Sequence, residues 1–218
     1  MSTAAESVPE HGAGIYSFPA AARLVGERPR KLHYWMESGL TPPSYKQARG
    51  QSDVLSFHDL LSLEMVKRIR NYGVTLQKIR LLESELRRYN SSAPRPFALE
   101  VFFTDGVDVW YQLEPNDQRL VQATGKHRRH VAWRDAVASF AHEIVYDNGI
   151  AVRWHPELHV SIDPRVHFGE PVVEGTRVSV TTIAANLKAG TPEQVARWFD
   201  LTLDQVRAAG AYAADIYG

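Results

Sequence analysis

The chain has 218 residues, 44% hydrophobic and 23% charged, which is ordinary for a folded globular protein. It contains no cysteine, and this excludes disulfides, thiolate zinc sites and cysteine nucleophiles. We find no apolar run of about eighteen residues and no apolar stretch behind a basic start. The sequence therefore predicts neither a membrane span nor a signal peptide, and a cytoplasmic location.

Charge is distributed unevenly along the chain, although the formal net charge is zero. Residues 14–93 hold 13 Lys and Arg against 7 Asp and Glu, whereas residues 156–218 hold 5 against 8. Residues 94–155 are close to balance, with 7 against 8. A basic N-terminal part and an acidic C-terminal part indicate two different partners. Chance variation in solvated surface charge is the alternative.

Two short helices are predicted at the start, after a disordered tail over residues 1–14. Ser17 is placed to cap a helix over 18–25, which Gly26 ends. The second helix, over 29–38, carries an apolar stripe at i, i+3 and i+4. Its other faces, with the residue before it, carry Arg28, Arg30, Lys31, His33 and Tyr34. This pattern predicts a recognition helix for the major groove; a helical hairpin with a solvated basic face is the alternative.

The next segment predicts a hairpin wing followed by two helices. Residues 40–55 have few apolar side chains, and Lys46 and Arg49 lie near the expected tip, where they would reach phosphates. Ser56 caps a helix over 57–72, and Thr75 caps another that runs to about residue 89. A winged helix-turn-helix over residues 15–93 follows from this order of elements.

The string Leu32–Leu40 (LHYWMESGL) resembles the L-R-Y-Y-E-x-x-G-L pattern of the MerR-like winged helix-turn-helix family. His33 stands where that pattern has arginine. The family's dimerising coiled coil and cysteine-rich metal sensor have no counterpart here. The resemblance therefore implies a DNA-binding regulator that senses neither metals nor redox state.

Residues 94–158 are predicted to be a β-rich middle region of antiparallel strands. A DG turn at 105–106 and a hairpin over 144–154 are expected, with a short helix over 131–142 between them. The basic run 126–130 is either a second phosphate contact or a solvated loop. His155 and His159 are four apart, but Pro156 argues against a helical metal site. No catalytic pattern is present, so we expect no enzymatic activity, no metal and no cofactor.

The most distinctive string, residues 162–178, frames a tight turn between Gly169 and Gly175, with Pro171 between them. Three helices are predicted after it, over 180–188, 192–199 and 203–217. Thr191 and Thr202 each begin a capping box, with glutamine three residues later. These helices predict a homeodomain-like bundle over 159–218, which could form a second helix-turn-helix.

That string is similar to the signature D-P-x-x-x-x-G-x-P-V-I-x-G-T-R of domain-of-unknown-function family 433, over about residues 160–214. Because this string is combined with a MerR-like N-terminal segment, the chain resembles a VapB-type antitoxin subgroup. The resemblance implies a protein that represses its own promoter and inhibits a PIN-like ribonuclease toxin. The sequence departs from typical VapB proteins in having a C-terminus that is predicted to be folded.

The turn residues are either a toxin-binding site or a structural turn: Gly169, Pro171, Gly175, Thr176 and Arg177. Arg177 could enter the toxin's carboxylate cluster, which must hold a divalent metal. It could instead pair with Glu174 or Asp163.

The expected fold is therefore α+β, with a winged helix-turn-helix, a small antiparallel β region and a three-helix bundle. The leading functional hypothesis is a type II antitoxin that binds operator DNA as a homodimer and has no membrane partner. The alternatives are a stand-alone MerR-like regulator that responds to a small ligand and a C-terminal bundle that serves only dimerisation.

Overall fold

The computed structural model describes residues 14–41, 43–44, 54–71, 73–89, 95, 102–104, 109–112, 119–122, 131–133, 138–139, 143–147 and 150–218. These residues form seven α-helices, and their strands are paired in antiparallel sheets. The predicted α+β class is confirmed. Residues 1–13 of the expected tail over 1–14, the DG turn at 105–106 and the basic run 126–130 lie outside the described residues.

The helices are α1 (Phe18–Val25), α2 (Pro29–Glu37), α3 (Phe57–Asn71), α4 (Leu76–Tyr89), α5 (Val180–Leu187), α6 (Pro192–Phe199) and α7 (Leu203–Tyr217). The strands are β1 (Tyr16–Ser17), β2 (Val54–Leu55), β3 (Phe102–Thr104), β4 (Val109–Gln112), β5 (Arg119–Gln122), β6 (Val131–Trp133), β7 (Ala138–Ser139), β8 (Ile144–Asp147), β9 (Ile150–Glu157), β10 (Val160–Ile162) and β11 (Val172–Val173).

The helix-turn-helix forms as its local signals predict. The Ser17 hydroxyl accepts a hydrogen bond of 3.4 Å from the Ala20 N–H, and Gly26 ends α1 in the left-handed conformation with a φ of 65°. Lys67 of α3 donates a hydrogen bond of 2.6 Å to the Val25 carbonyl, which would otherwise be unpaired at the end of α1. These contacts fix the angle at which α2 leaves α1.

Strands β1 and β2 pair antiparallel and place Tyr16 opposite Leu55. Strand β2 lies at the base of the predicted wing (40–55), whereas β1 precedes α1. The tip of the wing, with Lys46 and Arg49, lies outside the described residues. Ser56 caps α3, since its hydroxyl accepts a hydrogen bond of 3.1 Å from the Asp59 N–H. The Asp59 carboxylate accepts bonds of 2.9 Å from the Ser56 and Ser44 N–H groups. The start of α3 is thereby joined to the base of the wing.

Helix α3 is buried on more than one side, because 11 of its 15 residues are shielded from solvent. One side packs against α1, and buried residues of α2 belong to the same core. The core around it also contains Ile144, Ala151, Trp154 and Ile162, which come from the C-terminal part of the chain. The helix-turn-helix and the C-terminal part therefore share one hydrophobic core.

The middle strands form a five-stranded sheet in the order β6-β5-β4-β3-β7. The predicted helix over residues 131–142 is wrong, because β6 and β7 both lie within that range. Val131 and Trp133 favour strands, and β6 pairs with β5 over three residues. Inter-strand pairing therefore overrides the weak helical pattern.

A second sheet has the order β11-β10-β9-β8 and carries the three C-terminal helices. The β8–β9 hairpin is confirmed, with Asp147 opposite Ile150. Strand β9 belongs to the predicted middle region but pairs with β10 of the predicted C-terminal domain. Both capping boxes, Thr191 with Gln194 and Thr202 with Gln205, are present.

The C-terminal core lies between this sheet and the helices α5, α6 and α7. Its fully buried members are aliphatic, among them Val173, Ile183, Val195 and Val206. Ile216 packs against this core and also against the core around α3. In the part of the chain that the structure describes, no helix is long and apolar enough to cross a membrane.

Candidate nucleic-acid interface

Helix α2 presents a polar face to solvent and buries the opposite one. Leu32, Trp35 and Met36 are buried against the core. The exposed face carries Arg30, His33, Tyr34 and Glu37, which recur at i, i+3, i+4 and i+7. Arg30 supplies charge-assisted donors, and Tyr34, 54% exposed, supplies a phenol. This composition suits contacts with phosphates and base edges.

The N-terminus of α2 is open for an anion. Arg28 is the N-cap residue, and its side chain makes no capping hydrogen bond among the described residues. Pro29 at the first position has no N–H to donate, and the Lys31 and Leu32 N–H groups donate to the Arg28 carbonyl at 2.9 and 3.3 Å. The N–H group left at this end of the helix is that of Arg30. Arg28 and Arg30 are exposed at this end of the helix. The end of the helix can thus receive a backbone phosphate.

Lys31 lies at the flank of this face and is already engaged. Its ammonium group forms an ion pair with Glu27 one turn earlier and lies 5.1 Å from the centre of the Trp35 ring. Exposed pairs of this kind are weak, about 0.3–0.5 kcal/mol, so the contact is easily exchanged. To reach a phosphate, Lys31 must leave Glu27.

His33 is held between two neighbours. Its ring packs edge-on against Phe18 of α1, with the ring centres 5.5 Å apart. Its Nδ1 atom is 3.1 Å from a carboxylate oxygen of Glu37. The histidine that replaces the expected arginine is therefore oriented by α1 and by an acid on its own helix.

Two acids that the sequence analysis did not single out belong to this surface. Glu27 and Glu37 each lie four residues from a basic residue of the candidate site, and that spacing was available as a signal. The structure brings Arg28, Arg30, Lys31, His33 and Tyr34 to one exposed helix. Lys46 and Arg49 lie outside the described residues.

The C-terminal turn contacts the helix-turn-helix directly. The Tyr16 hydroxyl donates a hydrogen bond of 2.9 Å to the Gly169 carbonyl, and the Ile15 N–H donates one of 3.3 Å to the Phe168 carbonyl. Gly169 has a φ of 89°, and a Cβ atom there would lie 1.9 Å from the Tyr16 hydroxyl oxygen. His167 and Phe168 also have positive φ, 46° and 55°. This close approach explains the glycine at position 169.

The rest of the signature string stabilises its own turn. The Pro171 carbonyl accepts a bond of 3.1 Å from the Val180 N–H at the start of α5. The Thr176 hydroxyl donates to the Val173 carbonyl at 2.9 Å and accepts from the Val178 N–H at 3.0 Å. Gly175 adopts a φ of 77°, and a Cβ atom added to it would meet no neighbour within 4 Å. Thr176 and Gly175 therefore shape the loop.

Arg177 is exposed, and no ion pair of its guanidinium group appears among the described residues. Its carbonyl accepts a hydrogen bond of 2.9 Å from His167 Nε2. The two acids that could have bound it have other neighbours. Glu174 lies 3.6 Å from His155, and Asp163 is bound by Arg165 at 2.7 Å and Arg153 at 3.3 Å. Arg177 is therefore available to a partner.

Asp163 anchors the start of the string through its carboxylate. Burial raises its pKa, but hydrogen bonds from the Arg165 side chain and N–H, with a further bond from Arg153, outweigh burial and lower the pKa overall. The Arg165 N–H bond is 2.9 Å long. The ionised form of Asp163 is thus the one that the fold stabilises.

Polar contacts also join the two parts of the chain. His58 Nε2 donates a bond of 3.0 Å to the Ala151 carbonyl on β9, and Arg68 of α3 forms an ion pair with Glu143. The Arg23 guanidinium lies 5.7 Å from the centre of the Tyr217 ring. These contacts attach α1 and α3 to the C-terminal part of the chain.

Comparisons with known proteins match two separate regions of the chain. A family model described as MerR HTH family regulatory protein matches residues 16–86, and one described as a protein of unknown function (DUF433) matches residues 160–213. Together these regions hold the α2 face and the glycine-framed turn.

Individual relatives are more distant. The "Uncharacterized HTH-type transcriptional regulator" proteins Mb1861 of Mycobacterium bovis and Rv1830 of Mycobacterium tuberculosis are 34% identical over 107 residues, 48% of this chain and 46% of each relative. The chain thus spans about half the length of these relatives. "Putative antitoxin VapB45" of Mycobacterium tuberculosis is 25% identical over 168 residues, covering 71% of this chain and 70% of the relative.

The crystal structure of Rv2018 from Mycobacterium tuberculosis has the same fold. It superposes with a TM-score of 0.61 at 19% sequence identity, covering 89% of this chain and 96% of Rv2018. The arrangement of the two parts is therefore found in another solved protein. The chain joins a MerR-type helix-turn-helix domain at its N-terminus to a DUF433 domain at its C-terminus.

Proposed function

We propose that this protein is an antitoxin of a type II toxin–antitoxin system that represses its own promoter and inhibits a PIN-like ribonuclease toxin. The observation that carries the proposal is the exposed polar face of α2, with Arg28 and Arg30 at its start, in a MerR-type domain whose core is shared with the DUF433 domain. One rigidly joined protein could thereby link operator binding to toxin binding. It would act in the cytoplasm as a binding protein without enzymatic activity.

The DNA-binding half uses Arg28, Arg30, Tyr34 and the open N-terminus of α2 on phosphates and bases. His33 and Lys31 assist after release from their acidic neighbours. Lys46 and Arg49 would extend the contacts from the wing. A single helix-turn-helix binds one half-site weakly, so the protein would act as a homodimer on a palindromic operator.

The toxin-binding half rests on the similarity to a relative named as an antitoxin and on the exposed turn at Arg177. PIN-like ribonucleases need clustered carboxylates to hold a divalent metal, and an arginine inserted among them would compete with that metal. Gly169, Pro171, Gly175 and Thr176 would hold the loop that presents Arg177. Its guanidinium is exposed, as such a role requires.

The test is to purify the product of the adjacent gene and measure its RNA cleavage with and without this protein. Suppressed cleavage and a stable complex are the expected results. The Arg177→Ala variant should relieve the inhibition, with Arg197→Ala on α6 as the control for loss of a surface arginine. Unchanged cleavage together with no complex would refute the antitoxin function.

A stand-alone transcription regulator is the second candidate, because two relatives are named as HTH-type transcriptional regulators. It would respond to a small ligand and need no partner protein. Promoter binding that changes with a metabolite in the absence of the neighbouring gene product would favour it.

A further inference from the structure

Four charged side chains form a continuous series of contacts from the second sheet to the turn of the helix-turn-helix. Glu143, directly before β8, forms an ion pair with Arg68 of α3. Glu64 of the same helix accepts hydrogen bonds of 2.8 Å from Arg68 Nε and 3.4 Å from Lys67 Nζ. Lys67 in turn donates a bond of 2.6 Å to the Val25 carbonyl at the end of α1. The four side chains are called the ion-pair chain below.

Glu64 lies at the centre of the ion-pair chain and is 4% exposed. Burial raises the pKa of its carboxyl group, whereas the charges and hydrogen bonds of Lys67 and Arg68 act in the opposite direction. A buried carboxylate is costly unless it is paired and hydrogen-bonded, so its ionised form depends on both cations. A displacement of either cation therefore changes what the other one experiences.

The two ends of the ion-pair chain are fixed to different parts of the molecule. The Glu143 carbonyl accepts a bond of 2.7 Å from the His155 N–H on β9, so its backbone is held by the second sheet. At the other end, Gly26 ends α1 in the left-handed conformation and opens the turn that leads into α2. A Cβ atom added to Gly26 would lie 3.6 Å from the Lys67 Nζ atom. The ammonium group is thus beside the turn, where a cation stabilises the last carbonyls of a helix.

We propose that Glu143 is a positioning residue for operator binding, which acts through the ion-pair chain on the turn between α1 and α2. Its carboxylate holds Arg68 against Glu64, and Lys67 then remains on the last carbonyl of α1. A small rotation at this turn would displace the candidate DNA contacts at the start of α2. The inference rests on the proposed function, since operator binding by α2 is the activity that Glu143 would support from the second sheet.

The charge of Glu143 separates a positioning role from simple electrostatics. Removal of an acid should leave DNA affinity unchanged or raise it, because an acid repels phosphates. A positioning role predicts the opposite sign, a weaker affinity in Glu143→Gln. Glu157→Gln is the matched control, because Glu157 is an exposed acid at the end of β9 in the same sheet. Its carboxylate accepts a bond of 3.0 Å from the Leu158 N–H and is not part of the ion-pair chain.

The first experiment measures the Kd of the full-length protein for the DNA upstream of the gene by fluorescence anisotropy. Glu143→Gln should raise the Kd about threefold to tenfold, and Glu157→Gln should not raise it. An unchanged or lower Kd for Glu143→Gln would overturn the positioning role and leave DNA binding by α2 intact. No binding by the wild-type protein would overturn the proposed function and, with it, the operator as the target.

The second experiment tests the route through Lys67. Lys67→Met keeps the aliphatic stem and removes the ammonium group that holds the end of α1. If Glu143 acts through Lys67, the further change Glu143→Gln should alter the Kd of Lys67→Met by less than about twofold. Losses of affinity that multiply in the double variant would overturn this route.

The third experiment detects the coupling without DNA and without a substitution inside α3. In ¹H–¹⁵N spectra of the labelled full-length protein, Glu143→Gln should shift the Gly26 and Glu27 amide signals, because these residues follow the carbonyl that Lys67 holds. Glu157→Gln should leave both signals in place. Unshifted Gly26 and Glu27 signals in Glu143→Gln would overturn the proposal, whatever the Kd for DNA.

Discussion

The hydroxyl of Tyr16 donates a hydrogen bond of 2.9 Å to the carbonyl oxygen of Gly169, across 153 residues of sequence. Tyr16 belongs to β1 and pairs with Leu55 at the base of the wing, and Gly169 belongs to the signature string of the DUF433 domain. The tyrosine is 4% exposed, and burial is the main cause that raises its pKa. The two domains are therefore joined at a buried, neutral hydrogen bond.

This contact predicts that Gly169 tolerates alanine much less well than Gly175. Both glycines have positive φ, so alanine at either costs about 1–3 kcal/mol in backbone strain. Only at position 169 would the new Cβ also displace Tyr16, which should add about 1–3 kcal/mol. Urea unfolding of the two variants measures the difference. Equal losses of stability would show that Tyr16 moves aside freely.

Removal of the Tyr16 hydroxyl should destabilise the protein less than Gly169→Ala. Tyr16→Phe keeps the ring and leaves the Gly169 carbonyl without its donor, which should cost about 1–3 kcal/mol in the free energy of unfolding. Tyr34→Phe is the control, because Tyr34 is exposed on α2 and should lose almost nothing. An unchanged stability of Tyr16→Phe would mean that water replaces the hydroxyl.

Two positions on the exposed face of α2 should have opposite effects on DNA binding. Arg30→Ala should weaken binding to the DNA upstream of the gene and reduce the salt slope of log K by about one. Glu37→Gln should strengthen binding a few-fold, since it removes a negative charge beside His33. Fluorescence anisotropy at several salt concentrations measures both. Arg197→Ala on α6 is the control for general loss of positive charge.

Two results would contradict this assignment of the face. Unchanged affinity in Arg30→Ala, also when combined with Lys31→Ala and Arg49→Ala, would remove α2 from the interface. Weaker binding in Glu37→Gln would give the acid a direct role, because a carboxylate can accept a hydrogen bond from the cytosine amino group.

The lowered pKa of Asp163 predicts that the stability of the protein depends on pH. Its pKa in the folded state is lowered below the ordinary value of about 3.9, so its contribution is complete above that pH and is lost as pH falls through the folded value. The wild-type protein should therefore be more stable than Asp163→Asn at pH 7, and the gap should shrink below about pH 4. Urea unfolding across this range checks the sign. A gap that is constant with pH would assign the effect to packing.

The shared core predicts that the two domains unfold together. Trp154 of β9 is 2% exposed in the core around α3, so Trp154→Ala should cost about 3–5 kcal/mol and lower the stability of the DNA-binding domain as well. Trp198→Ala is the matched control, because Trp198 is 55% exposed and should cost about 1 kcal/mol or less. Circular dichroism and DNA binding, followed against urea, should give coincident transitions. Separate transitions would show independent domains.

Local signals in the sequence were sufficient to predict where most helices begin and end. The Ser17 cap, the left-handed Gly26 and the two threonine capping boxes involve neighbours within four residues, so the residues near each helix end determine where it begins or stops. The buried stripe of Leu32, Trp35 and Met36 likewise left Arg30 and Tyr34 on the exposed side of α2. The candidate DNA-binding face could be predicted for this reason.

Only the tertiary structure decided the contacts between distant segments. Residues 131–142 look helical in isolation, but pairing of β6 with β5 makes Val131–Trp133 a strand, because inter-strand hydrogen bonds depend on a partner elsewhere in the chain. Glu157 at the end of β9 lines one cleft with Asp204 and Asp215 of α7, which no spacing in the sequence reveals. The signature glycine at 169 was visible in the sequence, but its reason was not. That reason is the Tyr16 hydroxyl, which the shared core around α3 holds where a Cβ atom would have to lie.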